Sequence, residues 1–185
     1  SEIDELETLI AAVTVPRVTH SMIEAAVLDE LRELTAKIDL TCSRLIFTGT
    51  GNVFASGADL REIADVTSDN AREFALRGQG LMNQIAALNC ETIAAVNGFC
   101  FGGALDLALA CDVRIASHGA QFSHPGVGLG IITGWGGTQR LPRKIGQARA
   151  LEMFFTAERV NAGEALKIGL VDEIADDVLA AAVDR

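Results

Sequence analysis

Between Ile93 and Asp112 a short apolar run with the β-branched Ile93 and Val96 meets Asn97-Gly98. A glycine pair, Gly102-Gly103, follows, and an apolar helical pattern begins at once. Few folds accommodate such a stretch. Its 19 residues from Ile93 to Cys111 carry one charge, Asp106, and approach the length of a membrane-spanning helix. Three interior glycines, Asn97 and the missing basic flank argue against that. The reading left is a buried strand delivering its end to the N-terminus of a helix. Gly102 and Gly103 then serve close packing alone, or they let a ligand reach bare N–H groups whose partial positive charge suits an anion. Asp106 sits one turn further on.

Composition bounds the rest. A chain of 185 residues, 49% hydrophobic, can build one domain with a sizeable core. A net charge of −10 argues against general nucleic-acid binding, which needs clustered cations. Arg140, Arg143, Lys144 and Arg149 form the one basic cluster, read as a solvated surface or as a contact for an anionic ligand or neighbouring subunit. Cys42, Cys90, Cys100 and Cys111 lie in apolar contexts without metal-ligand spacing, which fits reduced thiols. With no export pattern at the N-terminus, a cytoplasmic protein is expected.

Along the chain, Ile3–Leu6 and Leu9–Val15 read as a hairpin. Ser21 and Glu24 form a capping pattern ahead of Ile23, Val27, Leu31, Leu34 and Ile38, an amphipathic helix. A strand is expected over 44–48 and a helix after Asp69 with Phe74, Leu81, Ile85 and Leu88 on one face. Strand 92–96, helix 103–110 and strand 112–116 follow. Strands alternating with helices favour a mostly parallel sheet. Gly126, Gly128 and Gly130 lack the strand–turn–helix context and later acid of a dinucleotide fingerprint. Asn161 and Glu164 cap a short helix ending at Gly169, and an Ala-rich helix with an uncovered apolar face is expected from near Ile174.

Five motifs, in order and with their spacing, resemble the crotonase superfamily, also called the enoyl-CoA hydratase/isomerase family. They are Phe54–Leu60 (FASGADL), Ala94–Asp112 (AAVNGFCFGGALDLALACD), Ala120–Phe122 (AQF), Gly136–Pro142 (GGTQRLP) and Asn161–Val171 (NAGEALKIGLV). The resemblance implies an α/β fold, a spiral of repeated ββα units with a helical C-terminal region largely absent from this chain. Residues 1–172 would form the core and 173–185 the start of the helical trimerisation region. It implies an acyl-CoA thioester as substrate, no metal, no cofactor beyond the coenzyme A of the substrate, and a homotrimer or dimer of trimers, with neither nucleic acid nor membrane as partner.

By the same resemblance the N–H groups of Ala58 and Gly103 form an oxyanion hole for the thioester oxygen. One such donor aimed at developing charge is worth roughly 3–4 kcal/mol. Ala55, Ser56, Gly57, Ala58, Asp59 and Leu60 would border coenzyme A, with Asp59 mainly fixing its loop, and Gly102, Gly126 and Trp135 would line the substrate site. Family hydratases usually carry two glutamates. The first position falls on Asp106, the second on Gly126, and a position some isomerases use falls on Gly134.

A single carboxylate suits double-bond migration, or hydration with Asp106 in both proton roles. Apolar neighbours Leu105, Leu107 and Leu109 would raise its pKa, unless Asp106 merely bonds nearby backbone. If 123–126 is extended, His124 points the same way as residue 126 and stands near the missing acid, or else it is a satisfied wall histidine. Trp135 lines the acyl pocket or closes the Gly-rich loop, and Cys100 is expected at the pocket mouth. An enolate-forming isomerase or hydratase leads; thioester or ring-opening hydrolysis and a degenerate acyl-CoA-binding subunit are the alternatives.

Overall fold

The computed structural model describes the main chain of residues 9–14 and residues 23–38 and 42–185 in full. In chain order the elements are β1 (Leu9–Thr14), α1 (Ala25–Lys37), β2 (Cys42–Thr48), β3 (Val53–Ala55), α2 (Leu60–Ala64), α3 (Ala71–Ile85), β4 (Glu91–Val96), β5 (Phe99–Phe101) and α4 (Gly103–Ala110). There follow β6 (Val113–Ala116), β7 (Gln121–Ser123), a 3-10 turn (Pro125–Leu129), α5 (Gly137–Ile145), α6 (Gln147–Thr156), β8 (Val160–Asn161), α7 (Ala162–Lys167), β9 (Glu173–Ile174) and α8 (Val178–Asp184).

From β2 to β7 consecutive strands alternate between two sheets. β2, β4 and β6 lie in a five-stranded sheet of order β1-β2-β4-β6-β9, and the strands that follow each of them fall in a second sheet, β3-β5-β7-β8. Among the described strands every pairing is parallel except β7 with β8. Each turn thus steps from one sheet to the other and returns through helix, which is the expected ββα spiral. β4 explains the apolar run: it lies between β2 and β6, with Ile46, Ile93 and Val113 in register, and five of its six residues are buried. A central parallel strand is covered on both faces and so has no polar side. One face packs into the main core with α1, α3 and α4. On the other, Val178 and Ala182 of α8 join Ile46, Ile93 and Ile115.

Several expected boundaries move. β1 pairs in parallel with β2, and the first arm of the expected hairpin lies outside the described residues, as does Ser21. α1 starts at Ala25 because Ile23 is held in a bridge to Ala58, its N–H donating to Gly57 O at 2.7 Å. The start of α1 is capped from a distance: Glu62 of α2 accepts the Ala25 N–H at 3.0 Å, while Glu24 makes no side-chain cap. Leu88 lies past the end of α3. Near the C-terminus, Glu173–Ile174 pairs with β6, and helix begins only at Val178, where Asp177 accepts from the amides of Leu179 and Ala180 at 3.0 Å. The apolar face of this helix, expected to be uncovered, lies on the sheet. Among the described residues no helix is long and apolar enough to cross a membrane.

Candidate active site

β5 ends at Phe101, and Gly102 turns the chain into α4 with φ +56°, a left-handed value disfavoured for residues with a Cβ. Gly57, φ +98°, brings its loop against that turn: a Cβ there would lie 2.8 Å from Phe101 O and 3.1 Å from Gly103 N. The loop after β3 and the start of α4 therefore touch through bare backbone, and Ala58 and Gly103 line one cavity of about 330 Å³. Nearby amides are occupied, Gly102 N–H by Ser123 O at 2.9 Å and Asp106 N–H by Gly102 O at 3.1 Å. Among the described residues no hydrogen bond takes up the N–H of Ala58 or Gly103.

Asp106 projects from α4 into the same cavity and is fully buried. Its Oδ2 accepts the Thr133 hydroxyl in a short contact and the Trp135 amide at 3.2 Å. Among the described residues its Oδ1 has no hydrogen bond of ordinary geometry, and His124 Nε2 is 3.7 Å away. Burial raises the Asp106 pKa to about 6, although Thr133, the Trp135 amide, the charge of Arg140 and the Gly137 amide all pull it down. Gly137 is a glycine for this reason: a Cβ there would meet Oδ1 at 2.1 Å.

His124 is 3% exposed and packs its ring on Phe154 with centroids 5.1 Å apart. Among the described residues neither ring nitrogen has a hydrogen-bond partner, and burial lowers its pKa to about 4. Residues 123–126 are not extended: β7 stops at Ser123 and the 3-10 turn begins at Pro125. His124 lines the cavity all the same. Trp135 lines the cavity. Its ring lies where a Cβ on Gly78 (2.2 Å) or on Gly103 (2.4 Å) would have to be, with Phe74 6.0 Å away centroid to centroid.

The other expected residues divide. Leu60 and Gly126 line the cavity with Ala58, Gly103, Asp106, His124 and Trp135. Ala55, Ser56, Gly57, Asp59 and Gly102 stand behind or beside it, and Asp59 caps α2 by accepting the Arg61 amide at 2.8 Å. Cys100 is not at the mouth: it is fully buried in the core, and the remaining cysteines are likewise buried and free. A Cβ at Gly126 would lie 2.7 Å from Ile131 O, so an acidic side chain there needs the turn to be rebuilt, whereas Gly134 faces open space. The basic cluster spends its charge on protein acceptors, with Arg140 on Asn83, Lys144 on Asp172 and Arg149 on Glu158. Thr133, Gly137 and Phe154 were not singled out from the sequence. Their one signal, a Gly-rich run containing Thr133, does not say which carboxylate the loop will meet. Among the described residues no group of three or more His, Cys, Asp or Glu side chains could hold a metal ion.

The sequence model of the family described as enoyl-CoA hydratase/isomerase matches residues 5–185, and the chain belongs to that family. It is 47% identical over 131 residues to a crotonyl-CoA hydratase of Syntrophomonas wolfei, covering 70% of this chain and 50% of that protein. A short-chain-enoyl-CoA hydratase of Clostridium acetobutylicum is 39% identical over 178 residues, covering 93% and 67%. The crystal structure of an enoyl-CoA hydratase from Bacillus anthracis superimposes with a TM-score of 0.89 at 34% identity, over 95% of this chain and 70% of that one. The chain thus spans half to two-thirds of the length of these curated relatives.

Proposed function

We propose that the cavity takes an acyl-CoA thioester and stabilises its enolate. The thioester oxygen accepts from the N–H groups of Ala58 and Gly103, and Asp106 moves the proton at the α-carbon. When the carboxylate takes that proton, the C–H pair becomes the Cα=C bond of the enolate and the carbonyl pair moves to oxygen. Reversal at Cα gives exchange, and return of the proton further along an unsaturated chain gives double-bond migration. A neutral thioester oxygen gains less from two fixed donors than an enolate oxygen does, which is what lowers the barrier. The N-terminus of α4 adds its positive end.

The carrying observation is the Asp106 carboxylate: fully buried, one oxygen held by Thr133 and the Trp135 amide, the other open, in the cavity that Ala58 and Gly103 line. A carboxyl with a pKa near 6 can take and return a proton at neutral pH. The similarity to hydratases named for crotonyl-CoA and short-chain enoyl-CoA supports a short, unsaturated acyl group. A trimeric or paired-trimeric assembly belongs to the same proposal, checked by light scattering. The chemistry is tested by incubating the protein with short-chain acyl-CoAs and enoyl-CoAs in D2O. Deuterium should enter at the α-carbon, and Asp106→Asn should abolish it. Thioesters that bind yet neither exchange nor react would overturn the reading.

A further inference from the structure

Enolate formation as described makes no use of His124, yet the structure buries this imidazole to 3% exposure in the cavity wall, with both nitrogens unpartnered among the described residues. Leaving a buried polar group unpaired costs about 1–3 kcal/mol. Two such orphans face each other, His124 Nε2 and Asp106 Oδ1, at 3.7 Å. That is too long for a hydrogen bond, but it suits a shared partner: one water can sit about 2.8 Å from both atoms. The two atoms give the cavity wall a polar point here, as a water site must have, and both residues line the open cavity.

We propose that His124 Nε2 and Asp106 Oδ1 together hold a water and aim it at the β-carbon of a bound enoyl thioester, so that the chain adds water rather than only moving a double bond. This rests on the enolate site proposed above. The water oxygen bonds to Cβ, the Cα=Cβ pair shifts to form the enolate, and the carbonyl pair moves to the oxygen held by Ala58 and Gly103. The proton facing Asp106 passes to the carboxylate, while the other stays on the new hydroxyl, which Nε2 accepts. Asp106 then gives its proton to Cα, the carbonyl re-forms, and the carboxylate returns. Water has been added across the double bond with nothing left over. The lone pair on Nε2 requires a neutral ring, and the burial that lowers the His124 pKa to about 4 provides one at neutral pH.

The test separates two reactions of the same protein. Hydration of a four-carbon enoyl-CoA needs the water, whereas α-proton exchange of the saturated acyl-CoA in D2O needs Asp106 and the two amides alone. His124→Phe should lower hydration about 10²-fold or more and leave exchange within about threefold. His124→Gln, which keeps an acceptor and a polar wall, should recover at least about tenfold over the Phe variant and guards against a folding failure of the latter. Hydration by the Phe variant within about threefold of the parent overturns the inference, as does a parallel fall in exchange, which marks a structural role. A parent that exchanges α-protons but hydrates no enoyl-CoA also overturns it while leaving the enolate site standing. A parent that does neither overturns both.

Discussion

Two buried polar clusters flank α4, and they are built on opposite rules. At the C-terminal end of α4, Arg114 of β6 is 3% exposed and fully bonded. Its guanidinium donates to Ala108 O, Cys111 O, Asp112 O and Leu170 O at 2.7–3.3 Å and to Asp172 Oδ2 at 2.7 Å. Burial pushes the Asp172 pKa up, but the Lys144 hydrogen bond at 2.8 Å, the Arg114 amide and both cations outweigh it and hold the pKa below the ordinary carboxylate value. At the N-terminal end, Asp106 is buried further and has one oxygen open, no ion pair with Lys or Arg among the described residues, and a pKa displaced the other way, to about 6. A polar cluster that only holds the fold closes all its valences. A cluster that acts on a ligand keeps some open and bears the desolvation cost until the ligand arrives.

The sharpest way to break this contrast is Asp106→Asn. Loss of a proton-transfer group lowers the turnover of an enoyl-CoA by about 10²–10⁴-fold, and the same change should raise stability. A carboxyl whose folded pKa lies above its unfolded value contributes stability that is present at low pH and lost as pH rises through about 6. At pH 7 the displacement of about two units corresponds to a penalty of roughly 3 kcal/mol. An amide escapes the penalty and can donate to His124, so urea unfolding at pH 7 should show a gain of about 1–3 kcal/mol. Equal or lower stability would mean that the open valence carries no cost.

Arg114→Met is the mirror experiment. It leaves four carbonyls without their donor, while Asp172 keeps Lys144 and the amide of residue 114, and each carbonyl left unsatisfied in the interior costs about 1–3 kcal/mol. Unfolding in urea should register that loss, while turnover per folded molecule stays within about threefold. A kinetic defect in the folded protein would show that the two clusters are coupled through α4.

Next in size is a pair of pH slopes that cancel in the parent. Raised Asp106 makes stability fall as pH rises from about 4 to 6. Lowered His124 makes it rise over roughly the same interval, because the unfolded chain takes up a proton that the folded one refuses. Thermal unfolding of the parent should therefore show little slope from these two groups. Asp106→Asn should lose stability on acidification from pH 6.5 to 4, and His124→Phe should gain it from pH 6 to 4. Variants with the same slope as the parent would mean that neither group titrates out of its ordinary range.

The clusters also differ in how far the sequence announced them. α4 is found over the expected residues 103–110 because its start is written locally, in a glycine turn followed by unbroken apolar residues. Asp59 and Asn161 cap their helices as short-range patterns predict. What the sequence left out is contact between distant segments. Thr133 reaches Asp106 across 27 positions and Glu62 caps α1 across 37, and neither pairing has a periodicity to betray it. His124 is expected near the missing acid on an extended geometry over 123–126, but a 3-10 turn begins at Pro125, and its place beside Asp106 comes from the fold. The division of alternate strands between two sheets is likewise a tertiary choice, as is the recruitment of Glu173–Ile174 as an edge strand in a segment that reads as helix.

The smallest expected effect probes the half of Asp106 that is closed. Thr133→Val keeps the branched shape and removes the hydroxyl that donates to Oδ2, leaving the Trp135 amide in place. A hydrogen bond to a charged group contributes about 1.5–3 kcal/mol, part of which the remaining donors and any entering water restore. That bond favours the ionised carboxylate, so its loss moves the Asp106 pKa further above 6 by about one unit. The acid limb of the pH–rate profile should shift upward by that amount, costing several-fold in rate near pH 6 and almost nothing at pH 8.5. Stability should drop by about 1 kcal/mol above pH 7 and be unchanged near pH 4, where the carboxyl is neutral in both proteins. An acid limb that stays in place would show that Thr133 steers the geometry of the loop rather than the charge of the carboxylate, and the closed half of the site would then resemble the Arg114 cluster in being purely structural.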